Sequence, residues 1–174
     1  MCIRDRLRSE ALYQQVSLIE QEVFVFDASI RDNITMFRPF PKEAVDEAIQ
    51  RSGLSELLAQ RGEDYRCGEN GCGLSGGEKQ RISIARSLLR SPSVLLLDAA
   101  TAALDAETAY RVTDRILNLE GMTRIVVTHR LEEALLRRYD GILVLKDGAL
   151  VEMGTFDQLI QQRKYFYSLY TISQ

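Results

Sequence analysis

The run Leu74-Ser75-Gly76-Gly77-Glu78-Lys79-Gln80, continuing as a helix-like segment to Arg86 and followed by Val94-Leu95-Leu96-Leu97-Asp98, constrains the chain more than any other part of it. It joins a glycine-rich turn, a capped amphipathic helix and an apolar strand that ends in an acid. Ser75 and Glu78 have the S-x-x-E spacing of a capping box, in which each side chain satisfies a backbone N–H at the start of a helix. Alone, that spacing does no more than begin a helix. Here Gly76 and Gly77 leave the first N–H groups uncovered, and the aligned peptide dipoles add partial positive charge at the same end. A helix tip so bare suits a phosphate. The order of turn, helix and acid-ended strand is the layout of a protein that grips the phosphates of a nucleotide.

The rest of the chain supplies the context. Residues 16–26 read as a buried strand interrupted by Glu20-Gln21-Glu22. Ser29, with Asp32 three residues on, has the pattern of a helix N-cap. Between Lys42 and Ala59, apolar residues recur at 44, 45, 48, 49, 54, 57 and 58, a helical spacing broken by Gly53. A helix is expected from about Glu78 to Arg90, ended by Pro92. Val94–Leu97 is a continuous apolar run, as in a strand covered on both faces. A helix from Ala106 to Leu119 follows, with Asp105 as cap and Gly121 beyond its end. Thr123–Thr128 reads as another buried strand, and a short helix is expected at 131–138. Asp147-Gly148 between two apolar runs is a hairpin signal, and Thr155 with Gln158 makes a capping box for the last helix. The pattern is α/β: a helical lobe, then a lobe with a mostly parallel sheet.

Composition excludes other classes. With 45% apolar and 27% charged residues among 174, the chain is an ordinary globular one. A net charge of −3 argues against a dedicated nucleic-acid surface. No apolar run approaches the roughly 20 residues that cross a bilayer. Three cysteines without metal spacing and a single histidine do not make a zinc site, and they favour a reduced, cytosolic setting. The opening MCIRDR is followed by no apolar segment of a signal peptide; it reads as a non-native leader over residues 1–6, which implies a truncated reading frame.

Individual residues carry two readings each. Asp98 is either a loop or cap residue, or an acid that holds Mg²⁺ through water at a strand's carboxyl end. His129 is either structural or a group reaching the same sheet edge as Asp98. Gln21, in a polar break, could reach a metal-bound water. Gly71, Gly73 and Gly76 also spell G-x-G-x-x-G, but no strand precedes them and no acid-bearing strand follows at the right distance, so the dinucleotide-fold reading fails.

Taken in order, these motifs resemble the ATP-binding domain of an ABC transporter over residues 8–174. Leu74–Gln80 is similar to that family's signature motif, Val94–Asp98 to its Walker B strand and Ala102-Ala103-Leu104-Asp105 to its D-loop. His129 matches the switch histidine and Gln21 the Q-loop glutamine. Residues 25–34 and Gly68-Glu69-Asn70-Gly71 are similar to exporter-type domains. The resemblance implies a P-loop NTPase (ABC ATPase) fold with ATP and Mg²⁺ as ligands. It divides the chain into a Q-loop strand region at 7–27, a helical subdomain at 28–90 and the C-terminal part of a RecA-like lobe at 91–174. Two such domains would stack head to tail, so that Ser75, Gly76, Gly77 and Glu78 cover ATP held on the partner. Asp98 and Gln21 would serve Mg²⁺, His129 would sense the γ-phosphate, and Asp105 would couple the two sites. Segments 21–34 and 68–71 would meet the coupling helices of a transmembrane domain, at the cytoplasmic face of the cell membrane. No nucleic-acid partner is expected.

Two departures from the family pattern stand out. No G-x-x-x-x-G-K-[ST] phosphate loop occurs in the chain, which the resemblance attributes to truncation before that motif. Little or no activity is then expected of the chain alone, and a missing first part of the sheet would leave an apolar edge and poor solubility. Second, Ala99 stands where the family has a glutamate that polarises the attacking water. A natural degenerate site and an engineered glutamate-to-alanine trap both account for it. The expected setting is a heterodimeric exporter in which this chain's signature completes the partner's site. The rival classes are a non-transport ABC ATPase and a non-catalytic interaction fragment docking through its signature helix.

Overall fold

The computed structural model describes residues 15–20, 22–99, 101 and 104–173, in two compact units, Met1–Val127 and Thr128–Gln174. The expected leader at 1–6, and with it most of the stretch before Val16, lies outside the described residues.

In the larger unit the helices begin where the sequence provides caps. The Ser29 hydroxyl accepts the Asp32 N–H at 2.9 Å and starts α1 (Ile30–Thr35). The apolar spacing from Lys42 becomes α2 (Lys42–Ser52), which buries Val45, Ala48 and Ile49. Gly53 ends it at φ 79°, and a Cβ there would come 2.9 Å from Arg115 Nη1. The chain restarts as α3 (Ser55–Arg61) and, after a 3-10 turn at Glu69–Gly71, as α4 (Gly76–Leu89). Ile82, Ile84 and Ala85 of α4 are fully buried, and the helix packs on α2, α1 and the strand β1 (Val16–Ile19).

Strands β2 (Val94–Asp98) and β3 (Thr123–Val127) complete a parallel sheet of order β1-β2-β3, with α5 (Ala106–Leu117) as the connection between them. The registers align Leu18, Leu96 and Ile125 across the sheet. One face is core, with Ile19, Leu95 and Leu97 at 2% exposure or less. On the other face Leu18, Ile125 and Val127 are each about half exposed. The expectation that these strands are buried on both sides is therefore corrected: among the described residues only one face is covered.

A second correction concerns residues 16–26, where the strand stops at Ile19. The apolar Val23–Phe26 stretch does not pair in the sheet, because its polar backbone groups are taken by the side chains of Asn33 and Arg86 instead. The helix expected at 131–138 is one turn, α6 (Glu133–Leu136).

The smaller unit is an antiparallel hairpin, β4 (Ile142–Lys146) and β5 (Ala149–Gly154), turned at Asp147 and Gly148 with positive φ at both. This is the primed turn that the Asp-Gly pair favours. Thr155 and Gln158 form the expected capping box on α7 (Phe156–Gln162), and α8 (Tyr165–Ser173) follows. The core here is Leu136, Val144, Phe156, Leu159 and Phe166. Glu152, only 7% exposed, accepts the N–H groups of Tyr165 and Phe166 and so satisfies the start of α8. Among the described residues no helix is long and apolar enough to cross a membrane.

Candidate functional site

Ser75 sits at the N-cap of α4 in extended geometry, φ −68° and ψ 160°. Its N–H donates to Glu78 Oε2 at 2.6 Å and its hydroxyl oxygen accepts the Glu78 N–H at 3.3 Å. The box thus uses two N–H groups of the tip. Among the described residues, no acceptor takes the N–H of Gly76 or Gly77, and Ser75 and Gly76 are exposed. A Cβ on Gly77 would lie 3.1 Å from Leu104 Cδ2, so the second glycine is needed for close packing as well as for bareness. The hydroxyl proton of Ser75 remains available to donate outward.

The loop that delivers the tip is held from below. Arg61 Nη1 donates to the Gly73 carbonyl at 2.6 Å, and Arg61 Nη2 lies 3.8 Å from Glu78 Oε1. Lys79 Nζ donates to the Asn70 carbonyl at 2.8 Å. Gly68, Asn70 and Gly71 all take positive φ. A Cβ at Gly71 would meet Val25 at 3.0 Å.

Behind the tip is a polar network that sequence reasoning missed. Gln80 is 1% exposed, and its Nε2 donates to the Glu20 carbonyl at 3.1 Å. Arg86 donates to the carbonyls of Phe24 and Asn33 and to Asn33 Oδ1, at 2.5–2.8 Å. Asn33 in turn accepts the Phe26 N–H at 2.8 Å and donates to the Phe26 and Ser29 carbonyls and to Cys67 Sγ. Burial pushes the Arg86 guanidinium below its ordinary range and the Cys67 thiol above its own. The only sequence signals were polar residues, Gln80 and Arg86, at positions where the helical period calls for core. Through these bonds the segment after β1 is tied directly to α4. On its outer side that segment shows an aromatic cluster: Phe24 and Phe37 are each 60% exposed, and Phe26 meets both edge-on at 4.9 and 5.4 Å.

At the sheet, Asp98 is exposed at the carboxyl end of β2, paired in register with Val127. Its carboxylate has no ion pair or hydrogen bond among the described residues. Ala99 follows with φ 46°, a left-handed conformation that costs a side-chain-bearing residue about 1–2 kcal/mol. Its N–H donates to the Val127 carbonyl at 3.1 Å. Asp105 caps α5, accepting the Thr108 N–H at 2.9 Å, and that bond holds its carboxyl below the usual range. Glu107 is exposed and lies 4.0 Å from Arg111 on its own helix. His129 is exposed in the smaller unit, two residues past β3, in a turn where Thr128 Oγ1 accepts the Arg130 N–H. Gln21, Ala102 and Ala103 lie outside the described residues.

Comparison with known proteins gives the family of the chain. The ABC transporter family model matches residues 3–102. The chain belongs to the ABC transporter family. It is 39% identical over 171 residues to the ATP-dependent lipid A-core flippase of Neisseria meningitidis, covering 96% of this chain and 27% of that one. It is 38% identical over 174 residues to the putative multidrug export ATP-binding/permease protein YgaD of Bacillus subtilis, covering 98% and 30%. A solved bacterial Atm1-family ABC exporter with ATP bound superimposes with a TM-score of 0.85 at 32% identity, over 94% of this chain and 29% of that one. The chain thus spans under a third of the length of these relatives. It has the ABC ATPase fold of the exporter type.

The residues fit an ABC nucleotide site in chemistry. Gly76 and Gly77 offer unclaimed N–H donors with the Ser75 hydroxyl beside them, a set for phosphate oxygens. Asp98 is an unpaired carboxylate at the carboxyl end of a parallel strand, where a hydrated Mg²⁺ suits it.

Proposed function

We propose that this chain is the ATP-binding part of an ABC exporter subunit that works as one half of a heterodimer, at the cytoplasmic face of a membrane. The observation that carries the reading is the open α4 tip: exposed Ser75 and Gly76 with two unclaimed N–H groups. In a head-to-tail pair, Ser75, Gly76, Gly77 and Glu78 cover the terminal phosphate of the nucleotide on the partner, with Glu78 acting through the cap. Asp98 and Gln21 hold a Mg²⁺ through water, His129 reads the γ-phosphate, and Asp105 joins the two sites across the pair. ATP supplies the phosphoanhydride whose cleavage resets the dimer.

In the full subunit, the site to which Asp98 and Ala99 belong holds nucleotide without turning it over, because Ala99 has no carboxylate to polarise water. The 174 residues without a phosphate loop do not bind ATP usefully there. The Phe24–Phe26–Phe37 cluster and the 68–71 turn supply the surface for transmembrane coupling helices. The network of Gln80, Asn33 and Arg86 passes movement of the 20–28 segment to the signature helix. The aromatic cluster supports transport over a soluble ABC ATPase role, since it lies on the segment tied to α4.

The test is Ser75→Asp in the full exporter. Aspartate is as good an N-cap as serine, so the fold holds while a negative charge faces the phosphate. Hydrolysis in the partner's site should fall about 10²-fold, the scale of losing one transition-state donor. Full activity in this variant would end the reading. Conversely, Ala99→Glu should raise hydrolysis in this chain's own site by on the order of 10²-fold, the lower end for a general base. No gain would remove the degenerate-site account.

A further inference from the structure

We propose that a cavity between α2, α3, α4 and α5 is a binding site for a small, multiply charged oxyanion of the phosphate class, separate from the nucleotide site. The cavity has a volume of about 280 Å³, and Arg81, Arg111, Arg115, Thr108, Gln50 and Glu56 are among its lining residues. Three arginines from two helices converge on one recess of a chain whose net charge is −3.

Arg81 is the informative one. Its Nε is shielded from water, and no described residue accepts a hydrogen bond from its guanidinium. Arg31, Arg61, Arg86, Arg124 and Arg137 of the same chain each have a protein acceptor. The Nε is out of reach of a ligand in the recess, so it is the terminal nitrogens of Arg81, for which no described residue supplies an acceptor either, that a bound oxyanion would engage. Arg115 is already oriented, because its Nη1 donates to the Gln50 carbonyl at 3.1 Å and leaves its other hydrogens for a ligand. Arg111 faces Glu107, at 4.0 Å between exposed groups, and the carboxylate of Asp105, contacts in water that are too weak to hold it back.

The nearest opposing charges are Glu56, which is among the lining residues, and Glu107 and Asp105, which both act on Arg111. The Thr108 N–H is consumed by Asp105, so the start of α5 does not supply the attraction; the guanidinium groups do. The volume lies just under the usual range of roughly 300–1,000 Å³ for drug-sized ligands, which selects phosphate or pyrophosphate over a whole nucleotide. A bound oxyanion would bridge Arg81 of the signature helix to Arg111 and Arg115 of the helix that Asp105 begins, and so fix the two helices against each other.

Equilibrium dialysis of the full 174-residue chain against labelled pyrophosphate tests this. Saturable one-to-one binding is expected, weakened about tenfold or more by Arg81→Gln, the effect of losing a charge-assisted bond. Arg111→Gln, at an exposed side chain where a substitution is expected to cost little stability, should weaken it as well. Ser75→Asp should leave it intact. Absence of saturable binding, or affinity kept within about twofold in Arg111→Gln and in any folded Arg81→Gln protein, would overturn the proposal. Binding lost in Ser75→Asp would also overturn it, by assigning the anion to the signature tip.

Discussion

The helical end of the larger unit and its sheet finish their structures differently. Around α4 the apolar requirement and, Arg81 apart, the polar one are met by residues of this chain: Ile82 and Ile84 are fully buried, and Gln80, Asn33 and Arg86 have partners. In the sheet, Ile19, Leu95 and Leu97 are buried on one side, while Leu18, Ile125 and Val127 face outward half exposed. Parallel sheets are ordinarily covered on both faces. The α4 side of this domain is thus largely completed by residues of this chain, whereas the outward face of the sheet presents an apolar surface suited to cover. The same division runs through the proposed function: the α4 tip has unclaimed donors, and the end of β2 has an acid followed by an alanine.

The contrast is most exposed to failure at Arg86. Replacing it by alanine removes donors to the Phe24 carbonyl, the Asn33 carbonyl and Asn33 Oδ1. The Asn33 carbonyl would lose this part-buried bond, Asn33 Oδ1 would keep only the Phe26 N–H, and the exposed Phe24 carbonyl would turn to water. A loss of about 3 kcal/mol is expected in urea unfolding. Lysine should recover only part of it, since it lacks the planar fork that spans separate acceptors. A loss below about 1 kcal/mol would mean that the network decorates the helix rather than holding the 20–28 segment on it.

Gly71→Ala comes next. The residue has φ 65°, and a Cβ would press on buried Val25 at 3.0 Å and on Lys79 Cε at 3.1 Å. Backbone strain and overpacking together should cost about 2 kcal/mol, read as a lowered unfolding midpoint. If the variant is as stable as the parent, the loop is not clamped between Val25 and α4 as described.

These two residues also mark how far the sequence could be read. Elements governed by neighbours were legible. Ser29, Ser75, Asp105 and Thr155 each cap the helix their spacing announced, Gly53 breaks a helix in the left-handed conformation, and Asp147-Gly148 turns a hairpin. The bare tip at Ser75 was legible for the same reason. What depended on distant partners was not. Val23–Phe26 has strand composition, yet its backbone is satisfied by Asn33, seven residues on from Phe26, and by Arg86, 62 residues on from Phe24. Nothing local in that stretch predicts such a partner. The exposure of Ile125 and Val127 escaped for a related reason, because an apolar strand reads the same whether one face or both are covered.

The smallest stability effect belongs to the open sheet face, and there the comparison can be sharpened. Ile125→Thr keeps a β-branched side chain on β3 and replaces a half-exposed apolar group with a polar one. Unfolding free energy should stay within about 0.5 kcal/mol of the parent, as at surface positions, while the equivalent change at fully buried Leu95 would cost several times more. The same substitution should reduce self-association of the isolated chain in sedimentation or light scattering, because it breaks the Leu18–Leu96–Ile125 row that runs across the sheet. A cost near that of a core position would show that Ile125 is packed in solution and that the face is closed by this chain itself. Unchanged association would move the adhesive surface elsewhere, with the exposed Phe24–Phe37 cluster as the next place to substitute.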